Sequence, residues 1–103
     1  MTKFVYLYSG GSMAETPEEQ EAAMQAWVAW FGTLGGALID GGNPFASAAT
    51  IAADGSVSDG GASAITGYSL INADSLDDAV TTAKDCPVLA TGGSVQVYQA
   101  LEM

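Results

Sequence analysis

The hydrophobic and polar positions change period several times along this chain, and each change marks an element. Lys3 to Ser9 is a β-branched and aromatic run that stops at Ser9-Gly10-Gly11-Ser12, which reads as a strand followed by a loop. Thr16-Pro17-Glu18-Glu19 then carries a strong helix start: an N-cap threonine, a proline at the first helical position and a glutamate three residues after the cap. Acids at positions 18, 19 and 21 suit the positive end of the helix dipole. Met24, Trp27, Val28, Phe31 and Leu34 recur at helical spacing, so a helix is predicted over about residues 17–34, with Gly35-Gly36 as its left-handed stop. Ala37 to Asp40 is a short extended piece closed by Gly41-Gly42-Asn43-Pro44, and residues 47–53 read as a weak strand around Thr50 and Ile51. Asp54-Gly55 is a turn, and residues 54–63 read as a loop or an irregular hairpin tip. Ile65 to Asn72 is a better strand. Asp74 or Ser75 caps a second helix with Leu76, Ala79, Val80 and Ala83 as its apolar stripe, which must end near Asp85 because Pro87 restricts the residue before it. Gly92-Gly93 is a turn, and Ser94 to Leu101 is the last strand.

The order β-α-β-β-α-β predicts an α+β, ferredoxin-like single domain over residues 1–103: a four-stranded antiparallel sheet with both helices on one face. Side chains alternate faces along each strand. Val5 and Leu7 share one side of the first strand, and Phe4, Tyr6 and Tyr8 the other. Val95 and Val97 oppose Gln96 and Tyr98 in the last strand; Ile65 and Ile71 oppose Thr66, Tyr68 and Leu70 in the third. The expectation is that the aliphatic sets cover the helices. The second face then collects all four tyrosines and Phe4. So large an aromatic face is rarely left in water, which predicts a partner, a pocket or both.

Composition narrows the function classes. Twelve acids oppose two lysines, with no arginine and no histidine, for a net charge of −10. Nucleic-acid binding needs cationic side chains to displace counterions, and an anionic membrane surface repels such a chain. Imidazole bases and histidine-ligated metals are absent. The 49% hydrophobic content and a mean hydropathy of +0.24 indicate a globular domain, although eighteen of the residues are alanine. No apolar run approaches the ~20 residues that span a bilayer. No export signal is read at the N-terminus, and the single Cys86 permits no internal disulfide, so the expected setting is cytoplasmic.

The order and spacing of several short motifs resemble a known family. They are the aromatic first strand, Thr16-Pro17-Glu18-Glu19, Gly41-Gly42, the run from Gly67 to Ala79 (Gly-Tyr-Ser-Leu-Ile-Asn-Ala-Asp-Ser-Leu-Asp-Asp-Ala), Cys86-Pro87, and Gly93-Ser94-Val95-Gln96-Val97. Together they look like the YCII-related proteins, in the branch named for its Asp-Gly-Pro-Phe motif. The resemblance spans essentially the whole chain. It implies a dimeric α/β barrel in which two ferredoxin-like sheets pack face to face, hence a homodimer through the sheet face. Some members of the wider family carry a His-Asp pair thought to be catalytic, and one branch includes a dehydrochlorinase of aromatic degradation. In this chain the branch motif reads Asp59-Gly60-Gly61-Ala62, there is no histidine, and the arginine usual near the end of the last strand is replaced around Tyr98.

Candidate site residues follow. Asp59 is the candidate acid or base, since a carboxylate at the mouth of an aromatic pocket has its pKa raised by burial; its structural alternative is an Asp-Gly turn. Asp40, at a strand end beside Gly41-Gly42, is a second carboxylate of the candidate pocket. Tyr6, Tyr8, Tyr68 and Tyr98 are candidates for packing between protomers and for stacking on a cyclic or aromatic ligand, two readings that are compatible in a barrel lumen. Trp27, Trp30 and Phe31 read as core or interface. Cys86 reads as a structural thiol, and Gly10-Gly11-Ser12 as a turn rather than an anion nest. Three functions remain open: a small-molecule-binding homodimer, a lyase or isomerase with Asp59 as base, and a structural or regulatory interaction module. The first leads, because the family's His-Asp pair has no counterpart here. No cofactor is implied. The aspartates at 54, 59, 74, 77, 78 and 85 do not match the ligand spacing of a calcium loop. Calorimetric titration with calcium, magnesium and zinc is accordingly expected to show no site tighter than about millimolar.

Overall fold

The first strand of the chain is one of the two inner strands of its main sheet, and it carries the core row. In the computed structural model, which describes residues 2–10, 15–60 and 65–101, β1 (Thr2–Ser9) is followed by α1 (Pro17–Leu34), a 3₁₀ turn (Gly35–Ala37), β2 (Leu38–Asp40), β3 (Ala49–Ile51) and β4 (Val57–Asp59). Then come β5 (Ile65–Ala73), α2 (Leu76–Ala83), the short α3 (Pro87–Ala90) and β6 (Ser94–Gln99). The main sheet has the order β2-β5-β1-β6, with every neighbouring pair antiparallel. This is the expected ferredoxin-like α+β architecture. Among the described residues no helix is long and apolar enough to cross a membrane.

One strand lies elsewhere than expected. The piece around Thr50 and Ile51 does not join the main sheet; β3 pairs only with β4, in a separate antiparallel hairpin. The sheet edge beside β5 is taken by β2 instead. The chain continues along that edge through a bridge from Pro44 to Gly67 and a hydrogen bond from the Phe45 N–H to the Thr66 carbonyl (2.7 Å). With that edge occupied, residues 49–59 satisfy their backbone groups by folding on themselves.

The helix ends follow the capping signals. Thr16 Oγ1 accepts from the Glu19 N–H (3.1 Å), and Pro17 opens α1. The Glu19 carboxylate reaches back to the Glu15 N–H (3.0 Å), one residue before the donor of the usual capping box. Gly35, at φ +53°, ends the helix in the left-handed region. Ser75 caps α2 by accepting from the Asp78 N–H (3.1 Å). Pro87 both stops the preceding turn and opens α3, a short helix that the sequence reading did not anticipate.

Alternation along each strand holds, but the sides of β1 are reversed. Phe4, Tyr6 and Tyr8 are buried beneath the helices, at 1%, 0% and 5% exposure. Register places Ile71 and Ser69 of β5 opposite Phe4 and Tyr6, and Val97 and Val95 of β6 opposite Tyr6 and Tyr8. The helix face is therefore aromatic in the middle and aliphatic at its flanks. Val5 and Leu7, expected under the helices, lie on the open face with Tyr68, Leu70, Gln96 and Tyr98. The physical reason is area: a Phe or Tyr ring buries more apolar surface than Val or Leu, and the helices supply ring partners and an acceptor for the phenols. The stripe of α1 is rotated to match. Trp30 is buried and Trp27, Phe31 and Leu34 pack against the core, while Met24 and Val28 face water.

Gly42 holds the edge turn because only glycine fits there. Its φ is +74°, and an added Cβ would lie 1.8 Å from the Tyr68 carbonyl oxygen. Thr16→Ala is expected to destabilise the protein by about 1 kcal/mol, read as a lower midpoint in urea at unchanged slope, because an α1 N–H loses its acceptor.

Candidate functional site

The open face of the main sheet is built by cross-strand rows. In one row Tyr98 of β6 lies opposite Val5, and Val5 opposite Leu70 of β5. In the next, Gln96 lies opposite Leu7, and Leu7 opposite Tyr68. The result is an aliphatic centre with a tyrosine toward each side. Tyr98 is half exposed, and its hydroxyl donates to Gln96 Oε1 (3.4 Å). Phe45 stacks on Tyr68 with ring centroids 5.6 Å apart and planes 19° from parallel. Sequence reasoning missed Phe45; the available signal was a lone aromatic directly after Pro44 in an otherwise small and polar stretch. Asp40 lies beside this face, opposite Leu70, and its Oδ1 accepts from the Gly42 N–H (2.8 Å).

The tyrosines thus fall into two pairs. Tyr68 and Tyr98 belong to the open face; Tyr6 and Tyr8 do not share it. Tyr6 stacks on Trp30 at 6.0 Å, and its hydroxyl donates to the Ala79 carbonyl. Tyr8 meets Trp27 edge-on at 5.0 Å; its hydroxyl donates to Ser69 Oγ (2.8 Å), which donates to the Gly41 carbonyl (2.7 Å). That relay ties β1 to the Gly41-Gly42 turn beside the open face. Burial raises the Tyr6 phenol to about 12, raises Tyr8 further, and raises the buried Cys86 thiol to about 11. All three are held neutral.

Asp59 ends β4, opposite Ala49, in an exposed position. Gly60, at φ +80°, follows it and donates its N–H to the Ala48 carbonyl (2.9 Å), so Asp59-Gly60 closes the base of the hairpin. The rest of that motif, Gly61-Ala62, lies outside the described residues, as do Gly11 and Ser12 of the first loop. On the helix side, a groove of about 1030 Å³ runs between α1 and α3, lined by Ala22, Ala26, Trp27, Trp30, Val88 and Thr91 among others. The run of alanines on α1 is its sequence signal: small side chains leave the space between the helices unfilled.

No family model matches this sequence, and no curated protein matches it. A solved structure does: 5-chloro-2-hydroxyhydroquinone dehydrochlorinase (TftG) from Burkholderia phenoliruptrix AC1100, in complex with 2,5-dihydroxybenzoquinone. The two chains are 14% identical with a TM-score of 0.60, over 98% of this chain and 95% of the other. The likeness establishes a shared fold, the ferredoxin-like α+β type found in dimeric α/β barrels.

The buried phenols and thiol give a pH signature. An unfolded chain releases these protons near pH 9–10, whereas the native state holds them toward pH 11–12, so the native state binds more protons across that interval. Stability is expected to be unaffected by these groups below about pH 9 and to fall as pH rises toward 12. Urea midpoints measured across this range, for wild type and Tyr6→Phe, check it; the variant should lose part of the decline.

Proposed function

We propose that this chain is a YCII-related protein of the Asp-Gly-Pro-Phe branch, forming a cytoplasmic homodimer that binds a small cyclic or aromatic molecule in the cleft between two facing sheets. The observation that carries the reading is the open face itself. Val5, Leu7 and Leu70 form an apolar floor, with Tyr98 on one flank and the stacked Tyr68–Phe45 pair on the other, and among the described residues no helix packs on it. A second copy laid on this face removes the floor from water, while the tyrosines at its sides offer ring faces and phenol hydrogen bonds to a flat ligand. The fold likeness to TftG supports the ligand class, since that structure holds a quinone. In this reading Tyr68, Tyr98 and Asp40 line the cleft, and Tyr6 and Tyr8 act from beneath, fixing the strand that carries Leu7 and Val5.

The reading is binding rather than turnover. A general base works in a desolvated site with an orienting partner, and Asp59 is an exposed residue at the foot of a hairpin. Its mutation is the direct check on the alternative of a lyase or isomerase.

Tryptophan and tyrosine fluorescence titration with 2,5-dihydroxybenzoquinone, with absorbance correction and calorimetry as a second readout, tests the proposal. Tyr68→Ala should weaken binding between about threefold and tenfold, the worth of one aromatic contact. Asp59→Asn should leave binding intact, and assays of phenols, lactones and chlorinated acids should find no turnover. An activity present in wild type and lost in Asp59→Asn overturns binding in favour of catalysis.

A further inference from the structure

Among the described residues the β3–β4 hairpin joins no other strand. Its strands pair only with each other, and it leaves the main sheet at the Phe45 end of the open face. Its turn is well built. Asp54 Oδ1 accepts from the Ser56 N–H (2.9 Å) and hydroxyl (2.7 Å), Gly55 takes φ +89°, and Thr50 Oγ1 donates to the Gly60 carbonyl (2.7 Å). Register places Ile51 opposite Val57 and Ala49 opposite Asp59, all four on one side, with Thr50 and Ser58 on the other. Ile51 and Val57 are 71% and 67% exposed. A two-stranded hairpin standing alone in water is marginal, and this one spends its cross-strand aliphatic pair on solvent.

The whole molecule shows the same deficit. Its accessible surface is 7014 Å², whereas a compact monomer of 10.4 kDa exposes about 5,400 Å². The radius of gyration is 15.0 Å, against about 13 Å for a chain of this length. The excess, roughly 1,600 Å², is about twice what each partner of an ordinary stable complex buries. The molecule has the open surface of a subunit.

We propose that the hairpin is an arm that packs the Ile51–Val57 side onto a second copy of this chain, so that each protomer grips the other beside the inter-sheet cleft. The inference rests on the paired-sheet reading above for where the second copy sits. The arm adds an attachment that the sheet face does not supply, and it gives Asp59 a place. Asp59 shares the apolar side of the arm, so docking turns this residue toward the boundary between copies.

Sedimentation and hydrogen exchange test this on the intact chain, with two variants. Wild type should be a dimer at micromolar concentration. Ile51→Asp combined with Val57→Asp should raise the dissociation constant at least about tenfold, since charge would be carried into the contact, with circular dichroism unchanged. Leu7→Asp, on the open sheet face, reports separately on the paired sheets. In wild type, exchange of the Ala52 and Gly60 amides should slow as protein concentration passes through the dissociation constant. If the arm variant dimerises like wild type and Leu7→Asp does not, the arm proposal is overturned and the paired sheets stand. If the arm variant is monomeric and Leu7→Asp still dimerises, the arm stands and the paired sheets fall. A wild-type monomer with concentration-independent hairpin exchange overturns both.

Discussion

The structure depends on one row of side chains: Phe4, Tyr6 and Tyr8, pointing from β1 into the helix layer. Burying two phenols is favourable only if their hydroxyls find acceptors. Tyr6 finds the Ala79 carbonyl of α2, and Tyr8 finds Ser69 of β5, which passes the connection to Gly41. Among the described residues no buried side-chain polar atom is left without a partner. These bonds do more than satisfy atoms. They set where α2 lies over the sheet and hold the Gly41-Gly42 turn at the sheet edge. The ring contacts of Tyr6 with Trp30 and Tyr8 with Trp27 set the rotation of α1.

That choice determines what the other side of the sheet can be. With the largest rings spent on the helix layer, β1 presents Lys3, Val5 and Leu7 outward and no aromatic ring, and the outward tyrosines come from β5 and β6. The open face is therefore an apolar floor with phenols at its sides rather than a continuous aromatic wall. The helix layer is thin for the same reason. Ala79 and Ala83 let α2 approach closely, while the alanines of α1 leave a groove over the tryptophans. The chain is a two-layer slab 19 Å through its short axis, with the β3–β4 hairpin at one edge. A slab of this shape has little interior for its surface.

Much of this was legible in one dimension, because the signals concerned were local. Thr16, Pro17, Ser75 and Gly35 define the helix ends through their own backbone geometry and nearby donors, and the bounds of α1 agree with the reading residue for residue. The alternation within each strand and the ferredoxin-like order follow from period and punctuation. The candidate site was legible only by halves: Tyr68 and Tyr98 lie on the open face as expected, while Phe45 went unnoticed and Tyr6 and Tyr8 lie on the opposite side.

What the sequence by itself determined, then, was which residues form each element and which side chains within a strand travel together. Which side of β1 meets the helices was decided only in three dimensions. A strand's period is the same whichever way it faces, so the choice falls to long-range partners: Trp27, Trp30, Ala79 and Ser69, between 19 and 73 residues from the tyrosines they meet. The fate of residues 49–59 was settled likewise. Their weak strand signal is satisfied equally by the main sheet or by a hairpin, and the tertiary structure chose the hairpin because β2 and the Pro44–Phe45 segment had already taken the edge of β5.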